Sequence, residues 1–443
     1  MQIAPLAILL SLAACSQTSA PPVPAVQDGL LASLTTGAGK IKHVVYIVQE
    51  NRSLDNLFQG YPGADTVDRG KISSGKTIVL KPVSLATAYS IDHSANAMFR
   101  ACRGTGKLPG TECRMDGFDL EGVGGAPGNL KYPTYVYAPH DETKPYFDMA
   151  HEWVLADRMF QSQLDESFVA HQYVIAAQAA SAVNVPTGPW GCQGKFYDMV
   201  PTITPSRKTT GTPEPPCFDY QTLGDELDAA HLSWRFYTSR YGSPSAGALW
   251  SGYQAVEHIY DGPDWANVIT PQQTFLSDVK KGKLANFTWI TPTCVNSDHV
   301  QCGGGFGPSW VTALVDAVGK SKFWDTTAIF VQWDDWGGLY DHVPPPFKNY
   351  DSVGFRVPLL VISPYARKDY VSHAHYETAS VLRFAEDLFG LARLAAADRR
   401  AASPANDCFD FTQKPRRFVP IKAPKDEAFF ITQPPDTRPP DYE

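Results

Sequence analysis

Three stretches of this 443-residue chain concentrate the residue types that catalysis requires. The first, Glu50-Asn51-Arg52-Ser53-Leu54-Asp55, follows the apolar run Val44–Val48. The second, Trp333-Asp334-Asp335-Trp336-Gly337-Gly338-Leu339-Tyr340-Asp341-His342-Val343, follows Ala328–Gln332. Carboxylates crowded at buried strand ends are costly unless a cation or a proton compensates them. Glu50, Asn51, Asp334 and Asp335 offer oxygen ligands only, a set that suits a hard divalent ion. Helix capping or pairing with surface arginines is the alternative use of the same acids. The third stretch, Asp165-Glu166-Ser167-Phe168-Val169-Ala170-His171-Gln172, opens an apolar helix. A helix N-terminus presents free N–H groups and a positive dipole end, which favour a phosphate and a serine alkoxide. An N-cap role for Ser167 or Asp165 accounts for the same pattern.

Histidines complete the set. His93 follows Ile91-Asp92, and His299 ends Asn296-Ser297-Asp298-His299 just beyond the run that closes at Thr291. His342, His373 and His375 lie near the last two strand ends. Several chemistries are excluded by the absence of their motifs. There is no Gly-x-Ser-x-Gly or His-Glu-x-x-His, and no Cys-x-Pro-x-Arg.

The elements that must hold these residues follow from hydrophobic patterning. Continuous apolar runs predict strands over Lys42–Val48, Trp234–Thr238, Phe287–Thr291, Ala328–Gln332 and Pro358–Ser363. Helices are predicted over Lys144–Glu152, Phe168–Ala180, Pro271–Lys281, Ser309–Val318 and Tyr376–Phe389, the last stopped by Gly390. This alternation predicts an α/β fold, a three-layer α/β/α sandwich with a mostly parallel central sheet. Functional groups then gather at the carboxyl ends of the strands. Two Gly/Pro/Cys-rich insertions, near 60–130 and 184–222, are too long for plain connectors and read as loops or a cap over the site.

Residues 1–14 read as a lipoprotein signal peptide, with Leu12-Ala13-Ala14 before Cys15 as the site of lipidation. An ordinary signal peptide is the alternative, and no Lys or Arg precedes the apolar run. Residues 15–36 read as a flexible tether and 37–443 as the catalytic domain. Export would place Cys102, Cys113, Cys192, Cys217, Cys294, Cys302 and Cys408 in an oxidising compartment. Sequence neighbours would pair as Cys102/Cys113, Cys192/Cys217 and Cys294/Cys302, with Cys408 left over; spacing alone does not fix these pairings. The net charge of −8 argues against nucleic-acid binding, since no basic face is on offer to a phosphate backbone.

Taken together, the residues resemble the phosphoesterase family that holds non-specific phospholipases C and the acid phosphatase A group. The matching pieces are His43-Val44-Val45 leading to Glu50-Asn51-Arg52-Ser53-Leu54-Asp55, Met115-Asp116-Gly117-Phe118, and Trp333 through Gly338 with Tyr340-Asp341-His342-Val343-Pro344-Pro345. Arg356-Val357-Pro358, Ser363-Pro364-Tyr365 and Phe409-Asp410-Phe411 extend the likeness over about 40–420. The resemblance implies an alkaline-phosphatase-like fold and hydrolysis of phosphate esters, either monoesters or phospholipids. It implies a divalent metal ion held by Glu50, Asn51, Asp334, Asp335 and Ser167, with Ser167 as nucleophile. Many members carry the hydroxyl residue one place later, where this chain has Phe168, and Glu where it has Asp335. His299 is expected to protonate the leaving oxygen and His93 to contact another phosphoryl oxygen, with Asp298 and His342 as supports. The competing reading is a non-catalytic, ligand- or partner-binding lipoprotein with a structural metal. The oligomeric state is left open.

Overall fold

The computed structural model describes residues 34–186, 191–194, 198–239 and 250–436. The expected signal peptide, Cys15 and nearly all of the tether lie outside these residues. A nine-stranded sheet forms the centre. Its strands are β1 (His43–Gln49), β2 (Val154–Phe160), β3 (Trp234–Tyr237), β4 (Val268–Ile269), β5 (Phe287–Ile290), β6 (Thr327–Trp333), β7 (Arg356–Ile362), β8 (Tyr370–Ser372) and β9 (Tyr376–Glu377). The order is β4-β3-β5-β1-β6-β7-β2-β8, with β9 continuing along β2. All pairings are parallel except those of β7, which runs against both β6 and β2.

One face carries α1 (His140–Glu152), α3 (Thr274–Lys280), α4 (Gly307–Gly319) and α6 (Glu427–Thr432), which pack on one another. The opposite face carries α2 (Ser167–Ala176) and α5 (Ala379–Phe389), which also pack together. The sandwich is therefore three-layered with a mostly parallel sheet, as the alternation predicts. Covering both faces explains why β1, β6 and β7 are apolar along their lengths; nearly every residue in them is buried.

Two elements differ from expectation. Tyr376–Glu377 forms β9 instead of opening a helix, because it pairs with Met159–Phe160 at the edge of the sheet. The helix begins at Ala379. Strand β2 is hidden in the sequence by Asp157-Arg158, a charged pair inside an otherwise apolar run. Asp157 is nonetheless buried, because its carboxylate accepts from His373 Nδ1 and from the Asp65 N–H at 2.8 Å.

The insertion near 60–130 is a folded annex with short two-stranded ladders and a helix over Ala95–Cys102. Its own apolar cluster joins Ile72, Leu80, Met98, Phe118 and Tyr135 to Trp336 of the second acidic stretch. Disulfides link Cys102–Cys113, Cys192–Cys217 and Cys294–Cys302; Cys408 is a buried thiol, and burial pushes it up to about 12.

Candidate active site

Strands β1 and β6 are parallel neighbours in register, with Gln49 opposite Trp333. Their carboxyl ends therefore deliver Glu50-Asn51 and Asp334-Asp335 side by side. Asn51 adopts a left-handed conformation with φ 55°, which Asn tolerates better than most residues. Gly337 also has positive φ, and a Cβ there would lie 2.4 Å from the Asn51 carbonyl oxygen. The Gly-Gly pair after Trp336 thus lets the two acidic loops touch.

Hydrogen bonds orient each acid. Asp334 Oδ1 accepts the N–H groups of Asn51 (2.9 Å) and Asp335 (2.7 Å). Asp335 Oδ1 accepts the Gly337 N–H at 2.7 Å, while its Oδ2 accepts from Asn51 Nδ2 at 3.1 Å. Ser167 Oγ lies 3.2 Å from Asp335 Oδ2, 3.4 Å from Glu50 Oε2 and 3.4 Å from Asn51 Oδ1. All five side chains are fully buried. Ser167 is the first residue of α2, a helix buried on every side. Its N-cap is Glu166, which makes no side-chain capping bond, so the capping account of Ser167 and Asp165 does not hold. Asp165 instead accepts the Asn184 N–H, and burial raises its carboxyl to about 7 against the pull of that bond and of His93.

One member of the site is not among the expected residues. His171 lies one turn after Ser167 on α2, fully buried, with Nε2 3.0 Å from Glu50 Oε1 and 3.7 Å from Asp334 Oδ2. Its signal was the four-residue spacing from Ser167, which places both on one helix face. Ligand atoms of Glu50, His171 and Asp334 all lie within 4.8 Å of one another. Asp334 Oδ2 is buried and has no hydrogen-bond partner among the described residues. An orphaned carboxylate oxygen, a second carboxylate and an imidazole converging on one point fit a divalent cation. With an imidazole nitrogen beside the oxygens of the expected set, the group suits zinc or iron as well as magnesium, calcium or manganese.

The other expected residues fall into two groups. His93 is in the cluster: its Nδ1 donates to the Ile91 carbonyl oxygen (2.8 Å), and its Nε2 accepts from Asn51 Nδ2 (2.9 Å). His299 is the next ring outward, 6.0 Å from His93 between centroids and stacked on Trp250. Its Nδ1 accepts the Gln301 N–H at 3.1 Å, which puts the ring proton on Nε2. Asp298 stands behind this layer. Its Oδ2 accepts from Tyr146 (2.7 Å) and Trp333 Nε1 (2.9 Å), and Arg52 Nε donates to its carbonyl at 2.6 Å. Those bonds tie the His299 loop to the ends of β1 and β6.

His342 belongs to a different cluster. It bonds Asp55 Oδ2 at 2.7 Å and Asp65 Oδ1 at 3.1 Å. Arg356 Nε lies 3.1 Å from both Asp341 oxygens, and its guanidinium is 3.6 Å from Asp55. Asp55, Asp341 and His342 have the spacing of a metal site, but the buried Arg356 already supplies the compensating cation.

Comparison with known proteins identifies the family. The model of the phosphoesterase family matches residues 41–392. The chain belongs to that family. It is similar to phospholipase C A of Mycobacterium tuberculosis, 23% identical over 407 residues that cover 79% of this chain and 73% of that one. It is also similar to non-specific phospholipase C1 of Arabidopsis thaliana, 25% identical over 87% of this chain and 74% of the relative. Among solved structures, an alkaline phosphatase superfamily protein from Vibrio parahaemolyticus aligns with 86% of this chain and 71% of its own. That alignment has 11% identity and a TM-score of 0.36. As a phosphoesterase the chain is a hydrolase acting on phosphate esters, which sets aside the non-catalytic reading.

Proposed function

We propose that this phosphoesterase is metal-dependent and works through a phosphoserine formed on Ser167. The observation that carries the reading is the convergence of Ser167 Oγ on Glu50, Asn51 and Asp335, within 3.2–3.4 Å of each, beside the Glu50–His171–Asp334 ligand set. A divalent ion held there supplies charge that stabilises the serine alkoxide and a phosphoryl oxygen. Ser167 Oγ attacks phosphorus in line; the Oγ–P bond forms as the bond from phosphorus to the leaving oxygen breaks. His299 Nε2–H donates a hydrogen bond to that oxygen, and the proton lost by Ser167 reaches it by way of water as the alcohol departs. Water then displaces Ser167 from phosphorus and restores the hydroxyl.

His93 takes a different part from the phosphoryl contact first expected. Its Nε2 is engaged by the Asn51 amide. By holding Nδ2 it keeps Asn51 Oδ1 turned to Ser167, so His93 is a positioning residue. Substrates are phosphate esters with a bulky or lipid alcohol, as the phospholipase C names of the relatives suggest, or simple monoesters of the acid phosphatase kind. The protein is exported and held to a membrane through Cys15, with residues 15–36 as its tether.

Side-by-side turnover of an aryl phosphate, an aryl phosphocholine and phosphatidylcholine, each with and without chelator, tests the reading. Chelation should abolish hydrolysis of whichever substrate is preferred. Radiolabelled phosphate should be trapped on the enzyme and lost in Ser167→Ala. Chelator-resistant turnover, or a Ser167→Ala enzyme with undiminished rate, contradicts it.

A further inference from the structure

The end of the sheet opposite the site has a different charge character. Helices α3 and α4 finish there, and the segments returning to β5 and β6 begin with Lys280-Lys281 and Lys320-Ser321-Lys322. With Lys422 and Lys425, ahead of α6, these lysines line two adjoining clefts of about 610 and 560 Å³. Lys280 and Lys320 belong to both. The acids in the clefts are Asp316, paired with Lys320 at 2.7 Å, and Asp426 and Glu427 at the start of α6. Six lysines against three carboxylates give a local positive excess in a chain whose net charge is −8. Ile431, 47% exposed, adds an apolar edge to the larger cleft.

The chain also enters the domain at this end. The Lys42 N–H bonds the Thr326 carbonyl oxygen at 2.8 Å, and Lys40 lies over the Tyr365 ring. Lys322 covers Phe323, whose ring meets His43 edge-on. Residues 40–43 therefore adjoin the lysine-lined loops, while Glu50, Asp334 and Ser167 sit at the other end of the same strands.

We infer that this lysine-lined end docks on an anionic lipid surface, leaving the catalytic end facing away from it. Lysine is a hydrated point charge on a flexible stem, suited to a diffuse layer of headgroups more than to one planar ligand. An exposed Ile beside such charges suits the headgroup boundary. The inference is independent of the catalytic reading, since no residue of the site takes part.

Vesicle co-sedimentation tests it with the full chain carrying Cys15→Ser, so that acylation cannot contribute, and Ser167→Ala, so that lipid is not consumed. Sedimentation with vesicles containing about one-third phosphatidylglycerol should exceed that with pure phosphatidylcholine at least about tenfold and fall away at high salt. Reversing Lys280, Lys320, Lys322 and Lys422 together to Glu should abolish the difference. Reversing Lys71, Lys76, Lys107 and Lys131 should preserve it. In a chain retaining Ser167, the first set should leave hydrolysis of a soluble aryl phosphate unchanged; if that variant does not fold, the same four positions as Gln replace it. Equal sedimentation with both vesicle types, or no effect of the four-lysine change, overturns the inference. So does capture of soluble dextran sulfate without vesicle binding.

Discussion

Two acidic clusters grow from the same pair of loops, and they solve the cost of buried charge in different ways. Beyond β1 and β6, Asp55 and Asp341 face Arg356 and His342, so the compensating cation is part of the chain. A few residues nearer the strand ends, Glu50, Asn51, Asp334 and Asp335 face Ser167 and His171. The Arg356 cluster is complete as it stands and holds the loops together. The Ser167 cluster leaves Asp334 Oδ2 without a hydrogen-bond partner among the described residues, which fits the metal site proposed above. The lesson is that equivalent acids after neighbouring strands need not share a role; what faces them decides.

The largest effect should come from removing a ligand of the Ser167 cluster. Glu50→Gln or His171→Ala should lower metal affinity and turnover by about 100-fold or more, since both act on the charge that the reaction uses. Thermal stability should change far less than activity, and measured turnover against added metal checks this. The converse is expected at Arg356. Arg356→Met leaves Asp341 and Asp55 buried without their cation and should destabilise the fold by about 3–5 kcal/mol, read by denaturant unfolding. If Arg356→Met instead abolished metal binding in a folded protein, the contrast between the clusters would fail.

A smaller effect separates positioning from ligation. His93→Ala should cost about 10–100-fold in kcat, with metal stoichiometry retained, because it acts through Asn51. The smallest effect is a pH dependence at His342. Burial lowers the affinity of His342 for a proton, but the bonds and charges of Asp55 and Asp341 more than offset this, so its pKa is raised. A raised value means that the folded state holds the proton more tightly than the unfolded chain. That stabilisation is therefore fully present below the ordinary histidine range and lost as pH rises through the folded value. The stability difference between the natural protein and His342→Gln, about 1 kcal/mol at acid pH, should shrink above neutrality. Tm measured at pH 5.5 and 8.5 in both proteins checks it.

Much of this was legible in the residues. Glu50-Asn51 and Asp334-Asp335 follow apolar strands, and a parallel β1–β6 pair in register necessarily brings them together. Ser167 was legible through the family resemblance alone, because a serine opening an apolar helix reads equally as an N-cap. His171 was harder to see, since a histidine in an apolar helix reads equally as core; only its contacts with Glu50 and Asp334 assign it. His342 misled for the opposite reason. It lies close in sequence to Asp335, yet the turn through Gly337-Gly338 carries it to Asp55. Strand β2 escaped because the partners of Asp157 come from residues 65 and 373, far away along the chain. Tertiary pairing of this kind has no local signature.

One cluster should take a divalent ion beside Ser167, while the other is closed by Arg356. Anomalous scattering from crystals of the active, metal-loaded enzyme tests it most directly. A peak is expected bounded by Glu50, His171 and Asp334, within reach of Ser167 Oγ, and lost on chelation together with activity. A peak between Asp55, Asp341 and His342, or full activity with neither position occupied, would contradict it.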